Sequence, residues 1–202
     1  MIITESQYFP CINYVVSLFS DDACRIEQWE TFRKMSFRNR CIIVGSNGLI
    51  NLTVPVEGGR NNKQLMKDVR ISYSENWQNK HWKAIVSSYA KAPFFEYYQY
   101  DVERLIKKQS IFLLDKNMEI ALWLKKVLKI PIEISLSVEY ETVLSPNCID
   151  YMNKWLPNNY SIEEAIVYNQ VFEEKLGFRK NLSIIDFLFC EGFNIKSSVI
   201  NL

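Results

Sequence analysis

The stretch MIITESQYFPCINYVVSLFSDDACRIE, residues 1–27, decides the fold that the sequence predicts. Its first four residues form an apolar run that is typical of a buried strand. The segment Ile12–Phe19 follows Pro10 closely and ends before Ser-Asp-Asp, which predicts a short helix. CRIE, residues 24–27, predicts a second strand. Because a strand, a helix and a strand follow one another, the pattern favours an α/β protein with a βαβ-like unit.

The remaining sequence divides into a strand-rich part and a helical part. Two β-rich runs, CIIV and LINLTVPV, flank GSNG and predict a hairpin, because Gly and Asn tolerate the positive φ of tight turns. A further strand is predicted at residues 132–141. The segments predicted to be helical are residues 76–92, 95–109, 110–130, 145–156, 161–178 and 181–191. The sequence therefore predicts one α/β domain over residues 1–202, in which a mixed sheet from about residues 1–73 packs with helices and the part from about 74 to 202 is largely helical.

The charge balance excludes a general nucleic-acid binder. The 202-residue chain has 24 basic and 23 acidic residues, a formal net charge of +1, whereas nucleic-acid binders need a basic excess. The sequence contains no polybasic patch and no long apolar run, so we expect no membrane insertion. The first ten residues do not have the pattern of a signal peptide. Aromatic residues make up 14% of the chain. Most of them suit core packing, and exposed rings are typical of sugar-binding pockets.

The cysteines predict a reduced, metal-free protein. They are widely scattered, at Cys11, Cys24, Cys41, Cys148 and Cys190. No CxxC pair occurs, and a single histidine cannot complete a Cys/His zinc site. We therefore expect free thiols, no metal site and a cytoplasmic location.

Chemistry has to come from local clusters, because the sequence contains no P-loop, dinucleotide fingerprint, GxSxG or HExxH motif. The first cluster is QYFP, which directly follows the predicted first strand, and strand ends are where α/β folds bind ligands. Gln7 offers an amide, and Tyr8 offers a ring and a hydroxyl. The same residues also suit a simple turn in which Pro10 starts a helix.

Two further clusters, SFRNR and NKHWKAI, contain cationic residues and the single histidine. Arg38 and Arg40 share one side of an extended segment, so they could clamp a phosphate or a carboxylate. A solvated strand edge is the ordinary alternative. His81 lies at the rim of an apolar helical stripe, where an imidazole can act as a general base or simply hold the helix in place.

The order of these clusters resembles the WbqC-like family, which occurs among genes for bacterial O-antigen and other surface glycans. The matching motifs are QYFPxxxY, SFRNR, LTVPV near a Gly-rich loop, KHWKAIxxSYxKAPFF and the C-terminal YNQVFEEKLGFRKNLSIIDFLFCEGF. The matched positions are Gln7, Tyr8, Pro10, Tyr14, Arg38, Asn39, Arg40, Lys80 and His81. Two positions depart from the family pattern: Cys11 replaces its Trp, and Glu27 or Glu30 stands in for its acidic residue after the second strand.

The resemblance implies an acyl- or aminoacyl-transferase, with glycyl transfer as one option, that acts on an amino sugar in surface polysaccharide or O-antigen biosynthesis. The sugar is expected to be linked to a nucleotide. A thioester, an aminoacyl-tRNA and an adenylate all stay open as acyl donors, and no cofactor is implied. The identity of the sugar and the oligomeric state also stay open.

The resemblance also implies residue roles. His81 would be the general base, and Glu27 would orient its imidazole or bind the substrate ammonium. The substrate-binding residues would be Gln7, Tyr8, Tyr14, Arg38, Asn39, Arg40 and Lys80. Of these, the arginines would hold a phosphate, and Asn39 would donate to the developing oxyanion. Cys11 as a nucleophile is a weaker variant of the mechanism.

Two other classes of function stay open. A non-catalytic protein that binds nucleotide sugars or glycans would need the arginines and aromatic residues but not His81. A metal-assisted hydrolase has the least support, because the chain has one histidine.

Overall fold

The structure, a computed structural model, describes residues 1–58, 63–140, 145–193 and 195. Its strands are β1 (Ile2–Thr4), β2 (Ala23–Ile26), β3 (Arg40–Gly45), β4 (Gly48–Thr53), β5 (Glu133–Leu136) and β6 (Ile149–Asp150). Its helices are α1 (Ile12–Ser17), α2 (Trp77–Tyr89), α3 (Phe95–Lys107), α4 (Leu113–Val127), α5 (Glu173–Leu176) and α6 (Ile184–Glu191), with a 3₁₀ turn at Met66–Asp68. The predicted α/β class is confirmed, with both parallel and antiparallel strand pairs.

The first 27 residues form the predicted βαβ unit. Strands β1 and β2 pair in parallel, with Ile2 opposite Cys24 and Thr4 opposite Ile26, and α1 connects them. The sheet they belong to has the strand order β5-β2-β1-β6, and every neighbouring pair in it is parallel. The carboxyl ends of all four strands therefore lie at the same edge of the sheet.

Strands β3 and β4 form the predicted hairpin, which is a separate antiparallel sheet. Gly45 lies opposite Gly48 across the turn. Gly48 has a φ of 122°, which residues with a side chain rarely adopt, so the tight turn depends on glycine at this position. Ile43 and Val54 are fully buried, so the hairpin and the residue after it pack against the core.

Helices α2, α3 and α4 lie within their predicted segments, and a buried lysine closes the end of α3. The Lys116 ammonium, on α4, donates to the carbonyl of Leu105 at 2.8 Å and also to the carbonyl of Lys108. The last carbonyls of a helix have no partner within the helix, so this contact satisfies two of them. Burial lowers the pKa of Lys116 to about 8.

A buried carboxylate joins α2 to α6. The hydroxyl of Tyr89 donates to Asp186 Oδ1, and the hydroxyl of Tyr168 donates to Oδ2, both at 2.5 Å. Asp186 is fully buried. Burial raises the pKa of its carboxyl to about 6, although both tyrosine hydroxyls act in the opposite direction.

The second half of the chain contributes the two outer strands of the parallel sheet, which the sequence analysis did not place there. The helix predicted at residues 145–156 is wrong, because this segment contains β6 and turns. The amide of Ile149 donates to the carbonyl of Met1, and that of Tyr151 donates to Ile3, both at 2.9 Å. Pairing with the edge of β1 gives these backbone amides hydrogen-bond partners, so they do not depend on the hydrogen bonds of a helix.

Two other predicted segments are shorter than expected. The strand predicted at 132–141 is present as β5, and Glu141 lies outside the described residues. Of the helix predicted at 161–178, only α5 forms. It ends at Gly177, whose φ of 70° is a left-handed conformation that glycine adopts easily at a helix C-terminus.

Candidate functional site

Polar residues follow the carboxyl ends of all four parallel strands. Glu5 comes directly after β1, Glu27 after β2 and Ser137 after β5, and Asn153 comes three residues after β6. The first three are buried, at 1%, 5% and 1% exposure. Ligands of open α/β sheets bind at this edge, so it is the first place to look for a site.

Arg38 lies at the centre of this edge. It is fully buried, and it binds Glu30 through two parallel hydrogen bonds, Nε to Oε1 at 2.7 Å and Nη2 to Oε2 at 2.5 Å. Its Nη2 also donates to Asn153 Oδ1 at 3.0 Å and lies 4.0 Å from Glu5 Oε2. Burial raises the pKa of Glu30, and the guanidinium acts against that rise. The two-point contact holds the guanidinium in one orientation.

The loop after β1 is attached to Arg38 through Glu5. Gln7 Nε2 donates to Glu5 Oε1 at 2.9 Å, and the amide of Asn153 donates to Oε2 at 2.8 Å. The hydroxyl of Tyr14 donates to the backbone carbonyl of Glu5 at 2.8 Å. Phe9, in the same loop, has a φ of 41°, which is uncommon for a residue with a side chain and typical of constrained functional loops.

A side chain from α4 completes the arrangement. Asn117 is 1% exposed, and its Nδ2 donates to the carbonyl of Arg38 at 2.8 Å and to Ser6 Oγ at 3.2 Å. Three buried atoms here have no hydrogen-bond partner within the described part of the chain: Gln7 Oε1, Arg38 Nη1 and Asn117 Oδ1. We call the residues Glu5, Gln7, Glu30, Arg38, Asn117 and Asn153 the polar centre.

The polar centre combines predicted and unpredicted residues. Gln7 and Arg38 were predicted to bind substrate, and Tyr14 contacts the centre through the backbone of Glu5. Glu5 and Asn117 were missed. The sequence does point to Asn117, because it is a polar residue on the apolar face of α4, where Leu113 and Leu124 are buried with it.

Glu27 and His81 have separate partners. Glu27 Oε1 accepts hydrogen bonds from the amide of Trp29 at 2.6 Å and from Ser137 Oγ at 2.8 Å. These contacts tie the end of β2 to the end of β5. The carboxylate of Glu27 therefore holds the turn after β2. The geometry does not support the predicted contact in which Glu27 orients His81.

Both ring nitrogens of His81 contact protein groups. The hydroxyl of Tyr8 lies 3.1 Å from Nδ1, and the carbonyl of Thr53 lies 3.2 Å from Nε2. A carbonyl can only accept, so the proton is on Nε2 and Nδ1 accepts from Tyr8. His81 is 4% exposed, and burial lowers its pKa to about 4. The imidazole is thus neutral at physiological pH, and it connects α2 to the loop after β1 and to the end of β4.

The other predicted binding residues have partners outside the polar centre. Asn39 Nδ2 donates to the carbonyl of Val54 at 2.9 Å. Arg40 Nη2 lies 3.4 Å from the sulfur of Met35. Lys80 is largely exposed and pairs with Glu75 at 2.8 Å. The geometry therefore gives the two arginines of SFRNR different partners and does not support a shared clamp.

Cys11 is a buried thiol with no sign of activation. It is 2% exposed, and burial raises the pKa of its thiol to about 12. The thiolate is the nucleophilic form of cysteine, and with the pKa raised in this way it is scarcely populated at neutral pH. The contacts therefore do not support the thiol mechanism.

Within the described residues, no group of three or more His, Cys, Asp and Glu side chains is arranged to hold a metal ion. None of the described helices has the length and apolar character needed to cross a membrane.

The fold and the site together define an α/β protein whose parallel sheet collects buried charged and amide side chains at the carboxyl ends of its strands. The model of the WbqC-like protein family matches residues 5–160, a range that contains the whole polar centre and His81. The chain therefore belongs to the WbqC-like protein family. Comparisons with curated proteins and with solved structures found no match.

Proposed function

We propose that this protein is an acyl- or aminoacyl-transferase, with glycyl transfer as one option, that acts on the amino group of a nucleotide-linked sugar. The proposed setting is surface polysaccharide or O-antigen biosynthesis in the cytoplasm. The observation that carries the proposal is the polar centre. It places two buried carboxylates and one guanidinium where α/β sheets bind ligands, inside the region matched by the family.

The proposed reaction needs few protein groups. The bound ammonium first loses one proton to solvent, and the amine nitrogen then attacks the acyl carbonyl carbon and forms the C–N bond. The bond from the acyl carbon to the leaving group then breaks, its electron pair goes to the leaving group, and the amine gives up one proton. A carboxylate near the amine can accept that proton, so Glu5 and Glu30 are candidates for the general base.

His81 fits a positioning role better than the role of general base. Its Nδ1 accepts from the hydroxyl of Tyr8 and its Nε2 donates to the carbonyl of Thr53, so neither ring nitrogen is free to take a proton from a substrate. By holding Tyr8, it fixes the loop that also carries Gln7. Glu27 likewise holds a turn through Trp29 and Ser137. In this proposal the carboxylates of the polar centre take over the acid–base work assigned to His81 by the resemblance.

The test is a transfer assay with three donors, glycyl-tRNA, a glycyl thioester and glycyl adenylate, and with UDP-linked amino sugars as acceptors. Mass spectrometry detects the N-acylated product. We expect wild type and the surface control Glu96→Gln to give product with one donor, and Glu5→Gln to lose activity by about 100-fold or more. Full turnover in Glu5→Gln together with complete loss in His81→Gln would restore His81 as the base.

A second function, binding of glycans or nucleotide sugars without catalysis, is favoured by a surface on α3. A cavity of about 490 Å³ is lined there by Tyr97, Tyr98, Asp101, Lys126, Val127, Lys129 and Phe193. Tyr97 is 77% exposed, and exposed rings beside charged groups suit sugar binding. Tight binding of a nucleotide sugar with no turnover on any donor would favour this function.

A further inference from the structure

We infer that the polar centre recognises its substrate as a vicinal amino alcohol, and that Glu5 is the residue that receives the substrate ammonium. This inference rests on the proposed function, because the amine is that of the acceptor sugar. It assigns a role to a residue that lies outside every motif of the sequence analysis.

The polar centre carries more negative than positive charge. Glu5 and Glu30 are 1% and 7% exposed, and both lie against the same guanidinium. Two carboxylates opposite one Arg38 leave one negative charge in excess. The neighbouring carboxylate of Glu27 acts in the same sense, because it contributes to the raised pKa of Glu30. A buried charge in excess calls for a cationic partner.

The two carboxylates of the polar centre have different hydrogen-bond partners. Both oxygens of Glu30 are bound by Arg38 at 2.7 and 2.5 Å. The oxygens of Glu5 accept from two neutral amide groups, those of Gln7 and Asn153, and the guanidinium is 4.0 Å away. An ionised carboxylate has about four acceptor positions, so Glu5 keeps capacity for an ammonium.

The unpartnered buried atoms of the polar centre include both acceptors and a donor. Gln7 Oε1 and Asn117 Oδ1 are acceptors, and Arg38 Nη1 is a donor, without partners among the described residues. All three side chains are 3% exposed or less, and each bonds directly to another part of the polar centre. An ammonium supplies three donors, and an adjacent hydroxyl supplies an acceptor for Nη1. A vicinal amino alcohol, the pattern of an amino sugar, offers both.

A bare metal cation fits these atoms less well. The guanidinium of Arg38 would repel it, and its free Nη1 donor would stay unpaired. The amide oxygens would suit a metal, but an ammonium with a neighbouring oxygen pairs the donor as well as the acceptors.

The experiment measures binding by titration calorimetry with the full chain, at pH 7. The probes are UDP-glucosamine and UDP-4-amino-4,6-dideoxyglucose, with UDP-glucose and UDP-N-acetylglucosamine as matched ligands without a free amine. We expect one of the amine probes to bind at least about tenfold tighter than the matched ligands. Glu5→Gln should reduce that preference to about threefold or less, while Glu96→Gln, on the exposed face of α3, should retain it.

A second variant protects the test against misfolding of Glu5→Gln. Gln7→Leu removes one unpartnered acceptor together with the hydrogen bond that Gln7 Nε2 donates to Glu5, and it should weaken amine binding by about tenfold, while a cooperative melt by circular dichroism shows that the variant is folded. Equal affinity for amine and amine-free ligands, or an unchanged preference in both variants, overturns the inference. Failure to bind either amine probe overturns it too.

The outcomes separate this inference from the proposed function. If the preference for amine ligands depends on Glu5 but no donor supports acyl transfer, the result supports the inference and contradicts the proposed transferase activity. Transfer that proceeds with unchanged KM for the amino sugar in Glu5→Gln supports the transferase and overturns the inference.

Discussion

Replacing His81 with Gln tests whether the imidazole is a buried neutral group. Burial lowers its pKa from 6.5 to about 4, so the folded protein favours the uncharged ring. The stability gained in this way is fully present above pH 6.5 and is lost as the pH falls toward 4. At about 1.4 kcal/mol for each pH unit, the loss reaches about 3 kcal/mol at pH 4.

Urea unfolding of wild type and His81→Gln at pH 7.5, 6, 5 and 4 measures this effect. At pH 7.5 the variant should be less stable by about 1–3 kcal/mol, because the hydrogen bonds to Tyr8 and Thr53 are lost or weakened. That disadvantage should shrink as the pH falls and should be cancelled or reversed by pH 4. Other titrating groups contribute to both proteins alike, so the difference between the two isolates His81.

A difference in the free energy of unfolding that stays constant from pH 7.5 to 4 would show that His81 is not a buried neutral group. It would mean that the imidazole titrates equally in the folded and unfolded states and is open to solvent. His81 would then again be available as a general base near its ordinary pKa. The predicted pH dependence instead supports a positioning role.

Three other predictions concern buried charges. Burial raises the pKa of Asp186 from 3.8 to about 6, so its contribution to stability is complete below pH 3.8, and about 3 kcal/mol is lost as the pH rises through 6. Urea unfolding should show this slope in wild type and not in Asp186→Asn; equal slopes would contradict it. Lys116→Met should lose about 1–3 kcal/mol and speed amide exchange at the end of α3, whereas unchanged exchange would show that the lysine does not cap the helix. Arg38→Met should lose about 3–5 kcal/mol because Glu30 stays buried without its partner, and adding Glu30→Gln should recover part of the loss; simple additivity in thermal unfolding would refute the coupling.

Elements with a local sequence signal were predictable. The βαβ unit, the hairpin with Gly48 in its turn, and the helices α2 to α4 follow from apolar periodicity and turn residues. The places of strands β5 and β6 in the parallel sheet could not be predicted, because their partners β2 and β1 lie more than a hundred residues away in the sequence. The pairing of Ile149 with Met1 comes from tertiary contacts that no local pattern encodes.

The site shows the same limit. QYFP and SFRNR pointed to Gln7 and Arg38, which lie in the polar centre. Glu5 was missed because its contacts with Asn153 span 148 positions of the chain. The expected pairing of Glu27 with His81 depended on spatial proximity, and packing gives the histidine Tyr8 and Thr53 instead. The single domain over residues 1–202 and the catalytic and binding roles stay predictions.

The most direct test of the proposed amino-sugar site is a structure of the protein with a nucleotide-linked amino sugar bound. We expect the amine nitrogen within about 3 Å of a Glu5 carboxylate oxygen, with a neighbouring sugar oxygen at hydrogen-bond distance from Arg38 Nη1. A sugar bound on the α3 surface beside Tyr97, with the polar centre unchanged, would contradict it.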